Sequence, residues 1–90
     1  MKKVYLLIKG KVQGVFFREN VRKIAKEFGI KGYVKNTING DVEVAAYGKD
    51  EKIRKLIKYC KKGPKNAIVE DVEIKKLDNK EEFEEFEIKY

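Results

Sequence analysis

The chain has 90 residues, a formal net charge of +7 at pH 7, 42% apolar and 41% charged residues, a single cysteine and no histidine. A chain of this length is expected to form a single domain, here residues 1–90, with charged side chains covering its surface. The composition excludes an internal disulfide, a thiolate zinc site and a histidine base, and the positive charge favours an anionic partner such as a phosphate compound or a nucleic acid.

The first elements in chain order are a strand and a helix. Residues 3–9 alternate in the manner of a strand that is buried on at least one face. From Phe17 to Phe28 the apolar residues recur at spacings of three and four, and Gly29 follows as a typical helix end. The pattern therefore predicts a strand, a short loop and a helix.

A hairpin and a second helix follow. Residues 31–36 and 41–47 are strand-like and are joined through Asn39-Gly40, the dipeptide best suited to a type I′ turn. Asp50 is expected to cap the second helix, which should end at Gly63-Pro64.

Two more strand-like runs complete the chain. Residues 67–77 form one run, irregular around Glu70-Asp71, and residues 83–90 form the other. The element order is βαββαβ with an added edge strand. This order predicts an α+β fold, the ferredoxin-like split βαβ sandwich, with an antiparallel sheet of four to five strands and two helices on one face. Since many functions use this fold, function has to be inferred from a site.

The segment between the first strand and the first helix is a candidate anion site. Glycines at positions 10 and 14 permit a curled backbone whose N–H groups form a nest for phosphate oxygens. The segment leads into a helix N-terminus, and Arg18 adds a permanent charge and a bidentate donor fork. The simpler alternative is an ordinary strand-to-helix turn in which the glycines only relieve steric crowding and the arginine is solvated. A nucleotide-binding loop is disfavoured because the Gly-Lys-Ser/Thr tripeptide of that motif does not occur.

Asn36 ends the second strand, which should run parallel to the first, with the third strand between them. The ends of the first and second strands then lie at the same edge of the sheet, about 10 Å apart, so Arg18 and Asn36 can share a pocket. The amide of Asn36 can position a water beside a phosphate, although a turn-stabilising asparagine is an equally simple explanation. Hydrolysis of an activated phosphate compound requires only positioning and charge stabilisation, so we expect no metal, cofactor or covalent intermediate.

Two motifs resemble the signature of the acylphosphatase family, namely Gly10-x-Val12-Gln13-Gly14-Val15-x-Phe17-Arg18 and Gly32-Tyr33-Val34-Lys35-Asn36-Thr37. The resemblance continues to Phe86-x-Ile88 and covers nearly the whole chain. It implies an enzyme that hydrolyses small acyl phosphates to a carboxylate and inorganic phosphate. It further implies that Arg18 binds phosphate, that Asn36 orients the attacking water, and that a phosphate-binding loop is formed by Gln13, Gly14, Val15, Phe16, Phe17 and Arg18.

Two alternatives stay open. The same element order builds RNA-binding modules, and Tyr5 and Tyr47 could lie on the open face of the sheet. Residues 41–47, however, lack the basic, glycine and aromatic series of an RNA-binding RNP1 motif, so we do not expect a nucleic-acid partner. The second alternative is a domain similar to the acylphosphatase-like module of larger maturation enzymes. No motif identifies a general base, and we hypothesise that the bound phosphate itself, or no strong base, accepts the water proton.

Location and assembly are inferred from composition. Cys60 lies on the apolar face of the second helix and is expected in the core rather than as a reactive thiol. The apolar run near the N-terminus is too short for a signal peptide or a membrane span. The single cysteine favours a cytoplasmic location, and we expect no membrane partner; we also expect a monomer, although no sequence pattern decides the oligomeric state. Its abundance of lysine and glutamate resembles that of hyperthermophile proteins.

Overall fold

A five-stranded sheet with two helices on one face forms the protein in a computed structural model, which describes residues 1–78 and 80–90. The elements are β1 (Lys2–Lys11), α1 (Phe17–Glu27), β2 (Lys31–Asn36), β3 (Val42–Gly48), α2 (Asp50–Lys62), β4 (Ile68–Lys76) and β5 (Phe86–Lys89). The predicted ferredoxin-like α+β fold is confirmed, including the added edge strand.

The strands lie in the order β4-β1-β3-β2-β5. β1 pairs antiparallel with β3 and β4, and β3 pairs antiparallel with β2, so β1 and β2 run in the same direction with β3 between them, as predicted. β5, in contrast, pairs parallel with β2, with Val34 opposite Ile88. The sheet is therefore mixed rather than wholly antiparallel, because the connection from β4 crosses to the other edge and reverses the chain direction.

A bulge marks the end of β1 where the chain enters the loop before α1. Lys9 lies opposite Asp71 but Gly10 lies opposite Val69, which leaves Glu70 as the extra residue. The irregularity predicted around Glu70-Asp71 is confirmed. Gly10 has a φ of 130°, and a Cβ atom there would lie 2.1 Å from the carbonyl oxygen of Ile68. Only glycine fits at this position.

The core lies between the sheet and the helices. Alternate residues of β1 are buried, and the helices bury Phe17, Val21, Ala25, Ile53, Leu56 and Cys60. The predicted core position of Cys60 is confirmed, since its side chain is fully buried. In the part of the chain that the structure describes, neither helix is long and apolar enough to cross a membrane.

Two local predictions are wrong. A type I′ turn needs positive φ at both central residues, but of Asn39 and Gly40 only Gly40 has it, at 90°. The Thr37 N–H donates to the Asp41 carbonyl at 2.9 Å, and the Gly40 N–H donates back to the Thr37 carbonyl at 3.2 Å, so the loop has three residues. Asp50 does not cap α2 but is its first residue, where its carboxylate favours the positive end of the helix.

A polar network lies on the face of the sheet that points away from the helices. The hydroxyls of Tyr5 and Tyr33 each donate to a carboxylate oxygen of Glu43 at 2.9 Å. Burial, reinforced by the bond to Glu43, raises the pKa of Tyr5 to about 12, and the same causes raise the pKa of Tyr33. Each phenol therefore stays protonated well above neutral pH.

Candidate active site

The loop from β1 to α1 is held in a curled conformation. Val12 is buried, Gly14 has a φ of 76°, and Phe16, with φ 63° and ψ 22°, is the one non-glycine residue with positive φ among those described. The carbonyl of Phe16 accepts hydrogen bonds from the backbone N–H of Asn20 at 3.1 Å and from its side-chain amide at 3.0 Å. Both bonds fix the loop at the point where the helix begins.

The first turn of α1 offers free donors to a ligand. Phe16 occupies the N-cap position and makes no side-chain hydrogen bond to the helix. The N–H groups of Phe17, Arg18 and Glu19 precede the first intrahelical bond, and such groups have no acceptor within the helix. Together with the positive end of the helix they form the anion site that the sequence predicts.

A cleft of about 220 Å³ opens at this helix end. Of the predicted site residues, Gly14, Phe16, Phe17, Arg18 and Asn36 line it. Arg18 comes from α1 and Asn36 comes from the end of β2. The cleft thus brings together two side chains that lie 18 positions apart in the sequence.

The charge of Arg18 is uncompensated within the described residues. Its guanidinium carbon lies 4.9 Å from the centre of the Tyr90 ring, which is a stacking contact with an uncharged partner. The neighbouring carboxylate of Glu19 pairs instead with Arg22, at 2.7 Å. No ion pair to Arg18 forms in residues 1–78 and 80–90. An external anion in the cleft would therefore meet a full positive charge.

Asn36 presents an unused amide to the same cleft. Its side chain is half-buried and makes no hydrogen bond to the described part of the chain. An amide both donates and accepts, so it can hold a water molecule in one orientation beside a bound anion.

Two members of the predicted phosphate-binding loop have side chains that face elsewhere. The side-chain nitrogen of Gln13 donates to the carbonyls of Thr37 and Asp41, both at 2.8 Å. Val15 packs against the hydrophobic core. Neither residue is among those that line the cleft, so any contribution they make to an anion comes from their backbone N–H groups.

Sequence reasoning missed Ile88 and Tyr90 as cleft residues. The apolar alternation in residues 83–90 indicates that Ile88 and Tyr90 share a face, but it does not place that face beside Asn36. The parallel pairing of β5 with β2 does so, since Val34 lies opposite Ile88. Only the pairing of β5 with β2 places Ile88 and Tyr90 beside Asn36, and this pairing cannot be predicted from a local sequence pattern.

The cleft offers an anion the Arg18 guanidinium, the Asn36 amide and the N–H groups at the start of α1, while the carboxylate of Glu19, which also lines the cleft, is paired with Arg22. Within residues 1–78 and 80–90, no three histidine, cysteine, aspartate or glutamate side chains come together as a group that could hold a metal ion. The arrangement can hold a tetrahedral oxyanion at the helix end and a water molecule beside it.

A family model described as Acylphosphatase matches residues 4–88. The chain belongs to the acylphosphatase family. It is similar to an acylphosphatase of Syntrophus aciditrophicus, with 43% identity over 90 residues that span all of this chain and 94% of the relative. Its structure is similar to an acylphosphatase of Bacillus subtilis, with a TM-score of 0.94, 30% identity and full coverage of both chains. It is also similar to an acylphosphatase of Coxiella burnetii, with a TM-score of 0.91, 39% identity and coverage of 98% of this chain and 92% of that one.

Membership of the acylphosphatase family gives no support to the RNA-binding alternative. On the open face of the sheet, Tyr5 and Tyr33 both bond to the carboxylate of Glu43, which lies in β3. A carboxylate at that position repels the phosphates of a nucleic acid.

Proposed function

We propose that this member of the acylphosphatase family hydrolyses the carboxyl–phosphate bond of small acyl phosphates by direct attack of a positioned water on phosphorus, without a metal or a covalent intermediate. The observation that supports this proposal is the presence of Arg18 and Asn36 in one cleft at the start of α1. The reaction releases a carboxylate and inorganic phosphate.

In this proposal Arg18 and the loop hold the phosphoryl group. The guanidinium forms two parallel hydrogen bonds to phosphoryl oxygens, and the N–H groups from Gln13 to Arg18 bind the remaining oxygen positions. Since Arg18 has no ion pair among the described residues, its charge is available for the negative charge that develops in the transition state.

Asn36 positions the attacking water in this proposal. Its carbonyl oxygen accepts a hydrogen bond from the water, which directs a lone pair of the water oxygen toward phosphorus. The carboxylate leaving group departs on the opposite side, where no protonation is needed because a carboxylate is a stable anion at neutral pH. Positioning of this kind raises the rate without a strong base.

The proton of the attacking water passes to a phosphoryl oxygen of the substrate. Glu19 is the carboxylate among the residues that line the cleft, and it is paired with Arg22. A pH–rate profile with no enzyme base titrating near neutrality in the free enzyme is therefore expected, and a base that titrates there would contradict this step.

The test of the proposed function is an assay with acetyl phosphate and benzoyl phosphate in excess chelator. We expect equal amounts of carboxylate and inorganic phosphate, with oxygen from labelled water found in the phosphate. Absence of hydrolysis would overturn the proposed function. Activity that disappears with chelator and returns with a metal would overturn the metal-free mechanism, and label in the carboxylate would place the attack on carbon.

We also propose that the protein is a cytoplasmic monomer. A reduced, fully buried thiol at Cys60 is compatible with a reducing compartment. The two proposed catalytic side chains, Arg18 and Asn36, meet within a single chain, which is compatible with an active monomer. Sedimentation equilibrium tests the second statement, and a stable dimer at micromolar concentration would contradict it.

A further inference from the structure

Phe16 combines an unfavourable backbone conformation with an exposed aromatic side chain. Its φ of 63° lies in the left-handed region, which bulky residues rarely adopt. The residue is 78% exposed and is one of those that line the cleft with Arg18 and Asn36. Strained residues of this kind cluster at sites where they contact a ligand.

Phe16 lies at the exposed border of the cleft. If the phosphoryl group lies against Arg18 and the first turn of α1, the acyl group has to extend away from that turn, toward the open side of the cleft. Two exposed aromatic residues, Phe16 and Tyr90, line the cleft. One face of the Tyr90 ring is occupied by the guanidinium of Arg18.

The ring of Phe16 is available for a ligand. Within residues 1–78 and 80–90 it makes neither an aromatic ring contact nor a cation–π contact. Its carbonyl, in contrast, is held by two hydrogen bonds from Asn20. Because the backbone is already fixed, a ligand that packs against the ring has to order only its two side-chain torsions.

We infer that Phe16 is a specificity-determining residue, and that the cleft favours acyl phosphates with an aromatic or similarly flat, apolar acyl group. This inference rests on the proposed function. The phenyl ring of a benzoyl group packs against Phe16 in an offset or edge-on arrangement, whereas the methyl group of an acetyl group is too small to cover it. The contact lies outside the reacting atoms, so it discriminates between acyl groups without changing the chemistry.

The experiment measures kcat/KM for benzoyl phosphate and for acetyl phosphate with the wild type and three variants. Phe16→Asn and Phe16→Gly remove the ring but tolerate positive φ, so the loop keeps its conformation. Phe16→Tyr keeps the ring. We expect the benzoyl-to-acetyl ratio of kcat/KM to fall about three- to tenfold in Phe16→Asn and Phe16→Gly and to stay within about twofold of wild type in Phe16→Tyr.

Ile74→Ala is the matched control, since Ile74 is 46% exposed on β4 and does not line the cleft. A second measurement needs no variant of Phe16: the wild type should bind benzoylphosphonate more tightly than acetylphosphonate, two unreactive analogues with different acyl groups. An equal loss on both substrates, an unchanged ratio, or equal binding of the two phosphonates would each overturn the inference while leaving the proposed function intact. A wild type that hydrolyses neither substrate would overturn both.

Discussion

The side-chain amide of Gln13 donates to the carbonyl oxygen of Thr37 at 2.8 Å and so links the loop before α1 to the residue that follows Asn36. The same nitrogen donates to the Asp41 carbonyl, also at 2.8 Å. Gln13 therefore connects the segment that carries Arg18 to the hairpin that carries Asn36. The relative position of the two proposed catalytic side chains depends on this connection.

Replacement of Gln13 by alanine should loosen that connection. The substitution removes two hydrogen bonds, although each carbonyl keeps a backbone N–H donor, so we expect the free energy of unfolding to fall by about 1–2 kcal/mol. We also expect kcat to fall by about tenfold or more with a smaller change in KM, because misalignment affects the reacting geometry more than phosphate binding. Denaturant unfolding and steady-state kinetics measure the two effects.

Ile38→Ala, an exposed change in the same hairpin, is the control and should match wild type in both stability and kcat. A Gln13→Ala variant that is less stable but keeps wild-type kcat would show a purely structural role.

Arg18 and Asn36 should be separable by kinetics. Asn36→Ala is expected to lower kcat by about a hundredfold while inhibition by inorganic phosphate stays within about threefold of wild type, because water orientation is lost and anion binding is kept. Arg18→Lys keeps the charge but loses the bidentate fork, so kcat and phosphate inhibition should both weaken. Lys23→Ala, an exposed change on the same helix and outside the cleft, is the control. Wild-type kcat with weakened phosphate binding in Asn36→Ala would reverse the assigned roles.

Removal of the Tyr90 ring should affect all acyl phosphates equally. Its contact with the Arg18 guanidinium, at 4.9 Å, orients the arginine rather than the acyl group. Loss of an exposed cation–π contact corresponds to about 0.5–1 kcal/mol, so Tyr90→Ala should lower kcat/KM by about two- to fivefold for acetyl phosphate and benzoyl phosphate alike. Tyr90→Phe keeps a ring and should stay near wild type. A loss confined to benzoyl phosphate would instead make Tyr90 a contact for the acyl group.

Cys60 should be unreactive in the folded protein. Burial raises the pKa of its thiol to about 12, so the reactive thiolate is scarce at pH 8 and the sulfur is also inaccessible. We expect no labelling by DTNB in native buffer and one equivalent after unfolding in guanidinium chloride. Rapid labelling under native conditions would contradict the buried position.

Stability should decline at high pH through the tyrosines bonded to Glu43. The folded-state pKa of Tyr5 is about 12 against a reference value of 10.0, so above pH 10 the unfolded chain loses this proton first. A group that holds its proton more tightly in the folded state stabilises the fold below its unfolded pKa, and this contribution is lost as the pH rises from about 10 to about 12. Tyr33, whose pKa is also raised, acts in the same direction.

Chemical denaturation between pH 9 and pH 11.5 measures this decline. Tyr5→Phe and Tyr33→Phe should each flatten the pH dependence of the unfolding free energy. Tyr47→Phe is the control, because the Tyr47 hydroxyl makes no hydrogen bond to the described residues. Equal slopes in all three variants would mean that lysine deprotonation governs the decline.

Local patterns in the sequence were sufficient for most of the fold. Alternation and spacings of three and four predicted the strands and helices of the described residues, because these periods follow directly from which face is buried, but the last strand begins at Phe86 and not at residue 83. The position of Asp50 and the conformation at Asn39 were predicted wrongly, since a difference of one residue in a cap or loop length leaves the wider pattern unchanged. The parallel pairing of β5 was missed because it depends on where a long connection returns to the sheet.

The candidate site was predictable to the extent that it lies in contiguous motifs. The convergence of Arg18 and Asn36 on one cleft follows from β1 and β2 running in the same direction. The side-chain link from Gln13 to the hairpin and the stacking of Tyr90 on Arg18 were not predictable, because each joins segments that meet only after folding. Their roles, like those of Arg18 and Asn36, remain predictions for the kinetic experiments.

Gly10 and Gly14 would respond differently to randomisation of the loop in a directed-evolution library. At position 10 a Cβ atom would lie 2.1 Å from the Ile68 carbonyl oxygen, so any replacement would force β1 and β4 apart. At position 14 no atom beyond the chain neighbours lies within 4 Å of such a Cβ atom, and the penalty is confined to the positive φ, about 1–2 kcal/mol. Selection for new phosphorylated compounds could therefore recover library members altered at position 14 despite this penalty, whereas members altered at position 10 would be lost to misfolding.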